Sequence, residues 1–128
     1  MTQTALCLPW PPSINGYFAS VRGRQILTAK AREYREDAIA LIGQQWSLPT
    51  FTGRVFVGMV MHPPTRRSFD IKNFDKAILD ALTDAGVYED DKQIDLIKIR
   101  RGEVVPGGEV IVLVEPLADA LKTEGRDG

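Results

Sequence analysis

The sequence predicts an α/β (α+β) domain in which one mixed sheet of about four strands is covered by two main helices. Three observations carry that expectation. Strand-like apolar runs alternate with two segments whose apolar residues recur at three- and four-residue spacing. Proline pairs and glycines punctuate the boundaries. The last two strand-like runs follow one another with no helix between, which implies antiparallel pairing at the C-terminal end. With 128 residues the chain fits one domain, 1–128. It is long enough to bury roughly two-thirds of its unfolded surface without a disulfide or metal staple.

Residues 4–10 (TALCLPW) read as a short strand, ended by Pro11-Pro12, which remove two backbone donors. Ser13 to Gly23 reads as a loop rich in turn formers, carrying Asn15, Tyr17 and Arg22, with Arg24 just after it. Thr28 is placed to cap a helix running to about Gln45, with Ala31, Tyr34, Ala38, Leu41 and Ile42 on one stripe. Tyr34 and Trp46 are expected as core anchors. Arg54 to His62 is apolar on both faces and reads as a central strand. Pro63-Pro64 ends it. A second helix runs from Asn73, the expected N-cap, to Ala85, with Phe74, Ala77, Ile78, Ala81 and Leu82 facing inward. Gly86 fits the left-handed stop that follows a helix. Ile94–Arg101 and Glu109–Glu115 are strands, expected to pair as a hairpin. From Leu117 the chain is expected to make one helical turn and then fray, so that 117–128 is a flexible tail.

Composition narrows the function classes. Hydrophobic (44%) and charged (26%) fractions are those of an ordinary globular protein. A single cysteine, Cys7, excludes an intramolecular disulfide and a cysteine-based zinc site, and a reduced, cytoplasmic setting fits it best. No apolar run reaches membrane-spanning length and no charged-then-apolar leader opens the chain, so no membrane role is expected. A net charge of −1 and a pI near 5.8 do not mark a nucleic-acid binder by themselves. The basic residues nevertheless gather, first at Arg22, Arg24, Lys30, Arg32 and Arg35, then at Arg66, Arg67, Lys72 and Lys76, then at Lys92, Lys98, Arg100 and Arg101. His62, the lone histidine, closes a strand and has no second histidine nearby to make it a ligand.

The chemistry concentrates between Thr65 and Gln93 (TRRSFDIKNFDKAILDALTDAGVYEDDKQ). Arg66 and Arg67 lead into Asp70, the helix carries Lys76 and Asp80, and Asp90-Asp91 follow its glycine stop. Cleaving a phosphodiester requires a stabilised charged transition state and an activated water, and a divalent cation held by a few carboxylates supplies both. Asp70 and Asp91 lie on either side of the helix. If its flanking strands share a sheet, the two acids can converge, with Lys76 on the scissile phosphate and Arg66 and Arg67 on flanking phosphates. Arg22 and Arg24 can touch backbone phosphates, and Tyr17 a sugar or base. The bland alternatives are a helix-dipole partner for Asp70, turn residues for Asp90-Asp91, and a surface Lys76–Asp80 pair worth a few tenths of a kcal/mol.

From Leu6 to about Val114 the chain resembles the RusA family of Holliday-junction resolvases, small endonucleases of bacteria and their prophages. The resemblance is carried by LPWPPSIN, Tyr17, Gly23-Arg24 and Tyr34-Arg35 at the N-terminal end. In the centre it is carried by Asp70, Asn73, Lys76, Asp80-Ala81-Leu82, Ala85-Gly86 and Asp90-Asp91. It implies a homodimer, dependence on Mg²⁺ (with Mn²⁺ as a substitute) and paired nicks in four-way junction DNA. By position it makes Asp70 and Asp91 metal ligands and Lys76 a catalytic or phosphate-binding lysine. A two-fold dimer suits a two-fold junction, because it supplies one site per strand to be cut.

One position departs from the pattern. The family's Asp-x-Asp-Asn run is Asp70-Ile71-Lys72-Asn73 here, so a lysine stands where the second acid belongs. Exchanging −1 for +1 weakens cation binding. The protein then binds junctions but cleaves weakly, or Asp75 or Asp90 supplies the missing carboxylate, or Lys72 itself orients water beside one metal. Lys72 and Asn73 also fall on the expected DNA surface. Phe69, just before Asp70, is a candidate wedge for an opened junction, or else packs under its loop. A small structural domain with no nucleic-acid role is the reading from another class.

Overall fold

The computed structural model describes residues 5–67 and 69–127, with only the backbone described for 123–127. In chain order the elements are β1 (Ala5–Pro9), β2 (Phe18–Val21), β3 (Arg24–Leu27), α1 (Ala29–Gln45), β4 (Val55–His62), α2 (Asp75–Asp84), β5 (Ile94–Arg101), β6 (Glu109–Pro116) and α3 (Leu117–Asp127). Four strands form one mixed sheet in the order β1-β6-β4-β5, and β2 and β3 form a separate two-stranded ribbon. The mixed α+β architecture is therefore the one the sequence predicts.

β4 is central because both its edges are paired and its residues are apolar on both faces. It runs antiparallel to β6 and parallel to β5. Its inward residues Val55, Val57, Met59 and Met61 join Ala31, Tyr34, Ala38 and Ile42 of α1 and Ala77, Ile78, Ala81 and Leu82 of α2 in one core. Thr28 caps α1, its hydroxyl accepting from the Ala31 N–H at 3.1 Å. Tyr34 is the core anchor expected of it, and its hydroxyl donates to the Pro9 carbonyl at 2.8 Å. Trp46 is half-buried against Phe51, and its indole N–H is buried with no hydrogen-bond partner among the described residues. Gly86 closes α2 at φ +79°, the left-handed conformation that favours glycine.

Four expectations are corrected. β5 and β6 are not a hairpin, because β4 lies between them and is the partner of both. The long apolar strand wins the central place, and a parallel β4–α2–β5 crossover results. Residues 13–23 are not a plain loop, since β2 and β3 pair around a two-residue Arg22-Gly23 turn with φ of +53° and +77°. Two positive φ values match the twist of a tight hairpin. Asn73 is not the N-cap of α2, because Phe74 holds that position without a side-chain bond. The C-terminal segment is a third helix of eleven residues rather than one turn, and its Ala120 is buried.

The face of the sheet turned away from the main core carries a groove. Val60, Ile111 and Leu113, all partly exposed, line a shallow groove of about 810 Å³ together with Ile97, Lys98 and Arg100 of β5.

Candidate active site

Asp70 begins a 3₁₀ turn over Ile71–Asn73. Its carboxylate accepts from the Lys72 N–H at 3.0 Å and its carbonyl from the Asn73 N–H at 3.0 Å. Asn73 therefore lies inside the turn that delivers the chain to α2. Asp70 and the Lys72 side chain are both exposed. The approach to Asp70 is held by an aromatic cluster. Phe69 lies edge-on to Trp10 and Phe74, with ring centroids 5.4 and 5.3 Å away. The Arg101 guanidinium covers its ring at 4.1 Å and donates to its carbonyl oxygen at 2.7 Å. Phe69 is thus half-buried, not a free-standing wedge. With Trp10, Pro63, Pro64, Thr65, Arg67 and Phe74 it walls a cleft of about 530 Å³ beside Asp70. Arg66 and Arg67 are exposed on this loop.

Lys76 sits in the first turn of α2, and its ammonium donates to Asp80 at 3.2 Å, the i,i+4 pair the spacing predicts. The other Asp80 oxygen accepts from the Tyr17 hydroxyl at 2.5 Å. Tyr17 is 1% exposed, so it is a core residue tying the N-terminal segment to Asp80 and not a ligand for sugar or base. Burial first, then the Asp80 hydrogen bond, pushes its phenol far above the ordinary tyrosine range. One turn on, Asp84 pairs with Arg35 of α1. Burial also pushes the Asp75 carboxyl above its usual range, against backbone donors and the Lys76 charge, which pull it down.

Asp90 caps a second 3₁₀ turn, Asp91–Gln93, in a reciprocal arrangement with Gln93. The Lys92 N–H, then Asp91, hold its carboxyl below the ordinary carboxylate range. Gln93 donates to the Phe51 and Gly53 carbonyls at 2.9 and 2.8 Å, and Arg54 donates to the Lys92 carbonyl at 2.9 Å. The Asp90-Asp91 turn is thereby fixed beside the start of β4.

These bonds decide whether the two acids converge. β4 and β5 do share a sheet, but they are parallel, with Val55 opposite Ile94 and Met61 opposite Arg101. Asp91 precedes the Ile94 end, while Asp70 follows Phe69, which is bound to the Arg101 end. The strand between spans eight residues, roughly 25 Å at the rise of a strand. The expected meeting of Asp70 and Asp91 therefore does not occur within one chain. Among the described residues no group of three or more His, Cys, Asp or Glu is placed to hold a metal ion. Arg22 lies in the ribbon turn and Arg24 opens β3 just after it, both exposed.

Sequence reasoning missed Arg101 and the Tyr17–Asp80 bond. The first left a signal, a basic pair closing a strand. The second left none, because the partners lie 63 residues apart.

Carboxylates on either side of a lysine-bearing helix are residue types that phosphodiester cleavage uses, and comparison with known proteins supplies the class, an endodeoxyribonuclease. The family is RusA, since the family model "Endodeoxyribonuclease RusA" matches residues 9–114, and the chain belongs to it. It is 35% identical over 118 residues to the crossover junction endodeoxyribonuclease of Enterobacteria phage HK97, covering 91% of this chain and 98% of that protein. It is 32% identical to the enzyme of that name from Enterobacteria phage 82 and 31% to that of Escherichia coli strain K12, each match covering 93% of this chain and 99% of the relative. No helix among the described residues is long and apolar enough to cross a membrane.

Proposed function

We propose that this protein is a structure-selective endonuclease that resolves Holliday junctions by paired nicks, acting as a homodimer with Mg²⁺, or Mn²⁺ in its place, in DNA recombination and repair. The observation that carries the reading is the family match over residues 9–114, a range that contains Asp70, Lys76 and Asp91. Relatives of nearly the same length are named crossover junction endodeoxyribonucleases, and two belong to phages, which fits a gene carried by a mobile element.

The chain's own residues divide the work by position. Lys76, held by Asp80, offers a fixed cation to the phosphate being cut. Arg66, Arg67, Lys72 and Asn73 border the Asp70 turn and engage flanking phosphates, and Arg22 and Arg24 on the ribbon reach a further arm. Asp70 and Asp91 are the metal-binding acids, with Asp75 and Asp90 as auxiliary candidates. The cleft behind Phe69 receives whatever the junction opens at its crossover.

The test is cleavage of a labelled four-way junction against a matched linear duplex. Paired nicks in the junction alone, lost in Asp70→Asn and in Asp91→Asn while junction binding persists, are expected. Undiminished cutting by both variants would refute the assignment of the two acids.

Lys72 favours a second reading, a junction-binding protein with weak or no cleavage. Its side chain is exposed beside Asp70 at the position of an expected acid. On that reading Lys72→Asp raises the cleavage rate, and an unchanged or lower rate counts against it.

A further inference from the structure

The β2–β3 ribbon turns a cationic and partly apolar face to solvent. From Ser13 to Arg32 the sequence holds four cations, Arg22, Arg24, Lys30 and Arg32, and no acid, in a chain whose net charge is −1. All four are exposed. Strand pairing sorts the ribbon's side chains into two faces, because Val21 stands opposite Arg24, Ser20 opposite Gln25, Ala19 opposite Ile26 and Phe18 opposite Leu27. Phe18 and Leu27 share one face and pack against the core. Val21 and Ile26 share the other, 45% and 43% exposed, with Arg24 beside them. Packing within the chain gives these two apolar side chains no reason to stand there.

The root of the ribbon is fixed. The Thr28 N–H donates to the Tyr17 carbonyl at 3.1 Å and the Thr28 hydroxyl to the Gly16 carbonyl at 2.8 Å, where the two strands leave the core. Arg32 of α1 donates to the Leu27 carbonyl at 2.6 Å. Tyr17 is in turn bound to Asp80, the partner of Lys76, so the ribbon holds a set place relative to that lysine. Between Tyr17 and the Arg22-Gly23 turn lie four strand residues, roughly 13 Å of reach. That carries the turn and the outer face into the major groove of B-DNA, which is about 12 Å wide and 8.5 Å deep and admits a two-stranded ribbon.

We propose that this ribbon enters the major groove of one junction arm and reads base edges there, with Arg24 on a guanine and Val21 and Ile26 against thymine methyls. This deepens the proposed function and rests on its reading of junction DNA as the partner. Charge selects the occupant. Four cations with no acid among them are drawn to a groove walled by phosphates, and they oppose a second copy of the same ribbon. The residue types on the outer face match what the groove displays, since an arginine fork fits guanine O6 and N7 and an aliphatic side chain fits the methyl group of thymine. Lys30 and Arg32, at the root, are left for phosphates on the groove's rim.

Methylation of the bound junction by dimethyl sulfate tests this, because the reagent attacks guanine N7 in the major groove and adenine N3 in the minor groove. The full chain is bound, without metal, to a four-way junction whose arms carry both bases. Protection of guanine N7 in an arm, with adenine N3 left reactive, is expected. Arg24→Gln and the double variant Val21→Ser/Ile26→Ser, each changing only exposed side chains, should lose that protection. Replacing the protected guanine by 7-deazaguanine should weaken binding of the parent about tenfold and leave that of Arg24→Gln almost unchanged. A parent that binds the junction with every N7 reactive, or with N3 protected instead, would overturn the groove reading and leave the nuclease reading standing. Variants that keep the protection would overturn the role of the ribbon, and a double variant that kept it but lost mass in light scattering would assign the apolar face to a second copy of the chain. A parent that binds no junction at all would overturn the proposed function and the inference together.

Discussion

The Arg101 guanidinium lies 4.1 Å from the centre of the Phe69 ring and donates to the Phe69 carbonyl oxygen at 2.7 Å. One side chain at the end of an edge strand thus grips both the ring and the backbone of the residue before Asp70. A stacked arginine at an exposed site contributes about 0.5–1 kcal/mol, and the planar fork is what allows stacking and hydrogen bonding together. Arg101→Ala is expected to lower stability by about 1 kcal/mol in urea unfolding. It should slow junction cleavage roughly tenfold, the equivalent of about 1.4 kcal/mol in the barrier. Arg101→Lys should recover little of the rate, since a point charge cannot reproduce the fork.

Tyr17 acts on Lys76 through Asp80. An exposed lysine–aspartate pair alone is weak, because two flexible side chains must be ordered to make it. Here the carboxylate is already fixed by a buried hydroxyl at 2.5 Å, so only the lysine remains to be ordered. Tyr17→Phe keeps the ring in the core and removes that hydroxyl. Single-turnover cleavage is expected to fall about fivefold to tenfold, while metal-free junction affinity holds. The same substitution in a Lys76→Met background should have no added effect, and an equal loss there would mean that Tyr17 only supports the fold.

Most of the framework was legible because each main element states its own period. β4 announced itself by apolar residues on both faces, α1 by the Thr28 cap and its stripe, and α2 by the stripe that ends at Gly86. Strand pairing was less legible. Sequence neighbours β5 and β6 looked like a hairpin, yet each found a better partner in β4, whose two apolar edges no local pattern could assign. The ribbon was missed because Arg22 occupies a left-handed turn position more often held by Asn, Asp or Gly. At the site, the motif singled out candidate residues but not where they lie. Asp70 and Asp91 are 21 positions apart in sequence, and only the parallel direction of β5 reveals that they stand at opposite ends of the sheet.

Asp75 is expected to make stability fall with rising pH across the carboxylate range. Burial raises its carboxyl above the ordinary value, so the folded chain binds more protons than the unfolded one between the two pKa values. Ionising it therefore costs stability as pH climbs through that interval, and the cost persists at neutral pH. Asp75→Asn removes the charge. Thermal unfolding should find the variant more stable than the parent at pH 7 by roughly 0.5 kcal/mol, a small figure because water screens a half-exposed group. The gain should vanish below the ordinary carboxylate range, where Asp75 is protonated in both states. A gain that stays constant at low pH would assign the effect to something other than its ionisation.

Ile97 stands where a two-fold axis would have to pass if β5 carries the dimer, so it separates assembly from chemistry. Its side chain is 41% exposed in the isolated chain, next to Lys98 and two residues before Ile99, which packs on the core. Near the axis each protomer's residue 97 meets its own copy, so one substitution is felt twice. Ile97→Lys removes two apolar contacts and sets two cations close together beside those of Lys98 and Arg100, an arrangement that like-charge repulsion disfavours by several kcal/mol. Light scattering at micromolar concentration is expected to find a monomer, with the dimer dissociation constant raised at least about 100-fold, or about 2.7 kcal/mol. Cleavage should fall with the dimer and recover as protein concentration is raised, if the proposed homodimer is the active form. A monomer that still nicked junctions would mean that one chain cuts alone. A variant that stayed dimeric and fully active would move the interface away from β5.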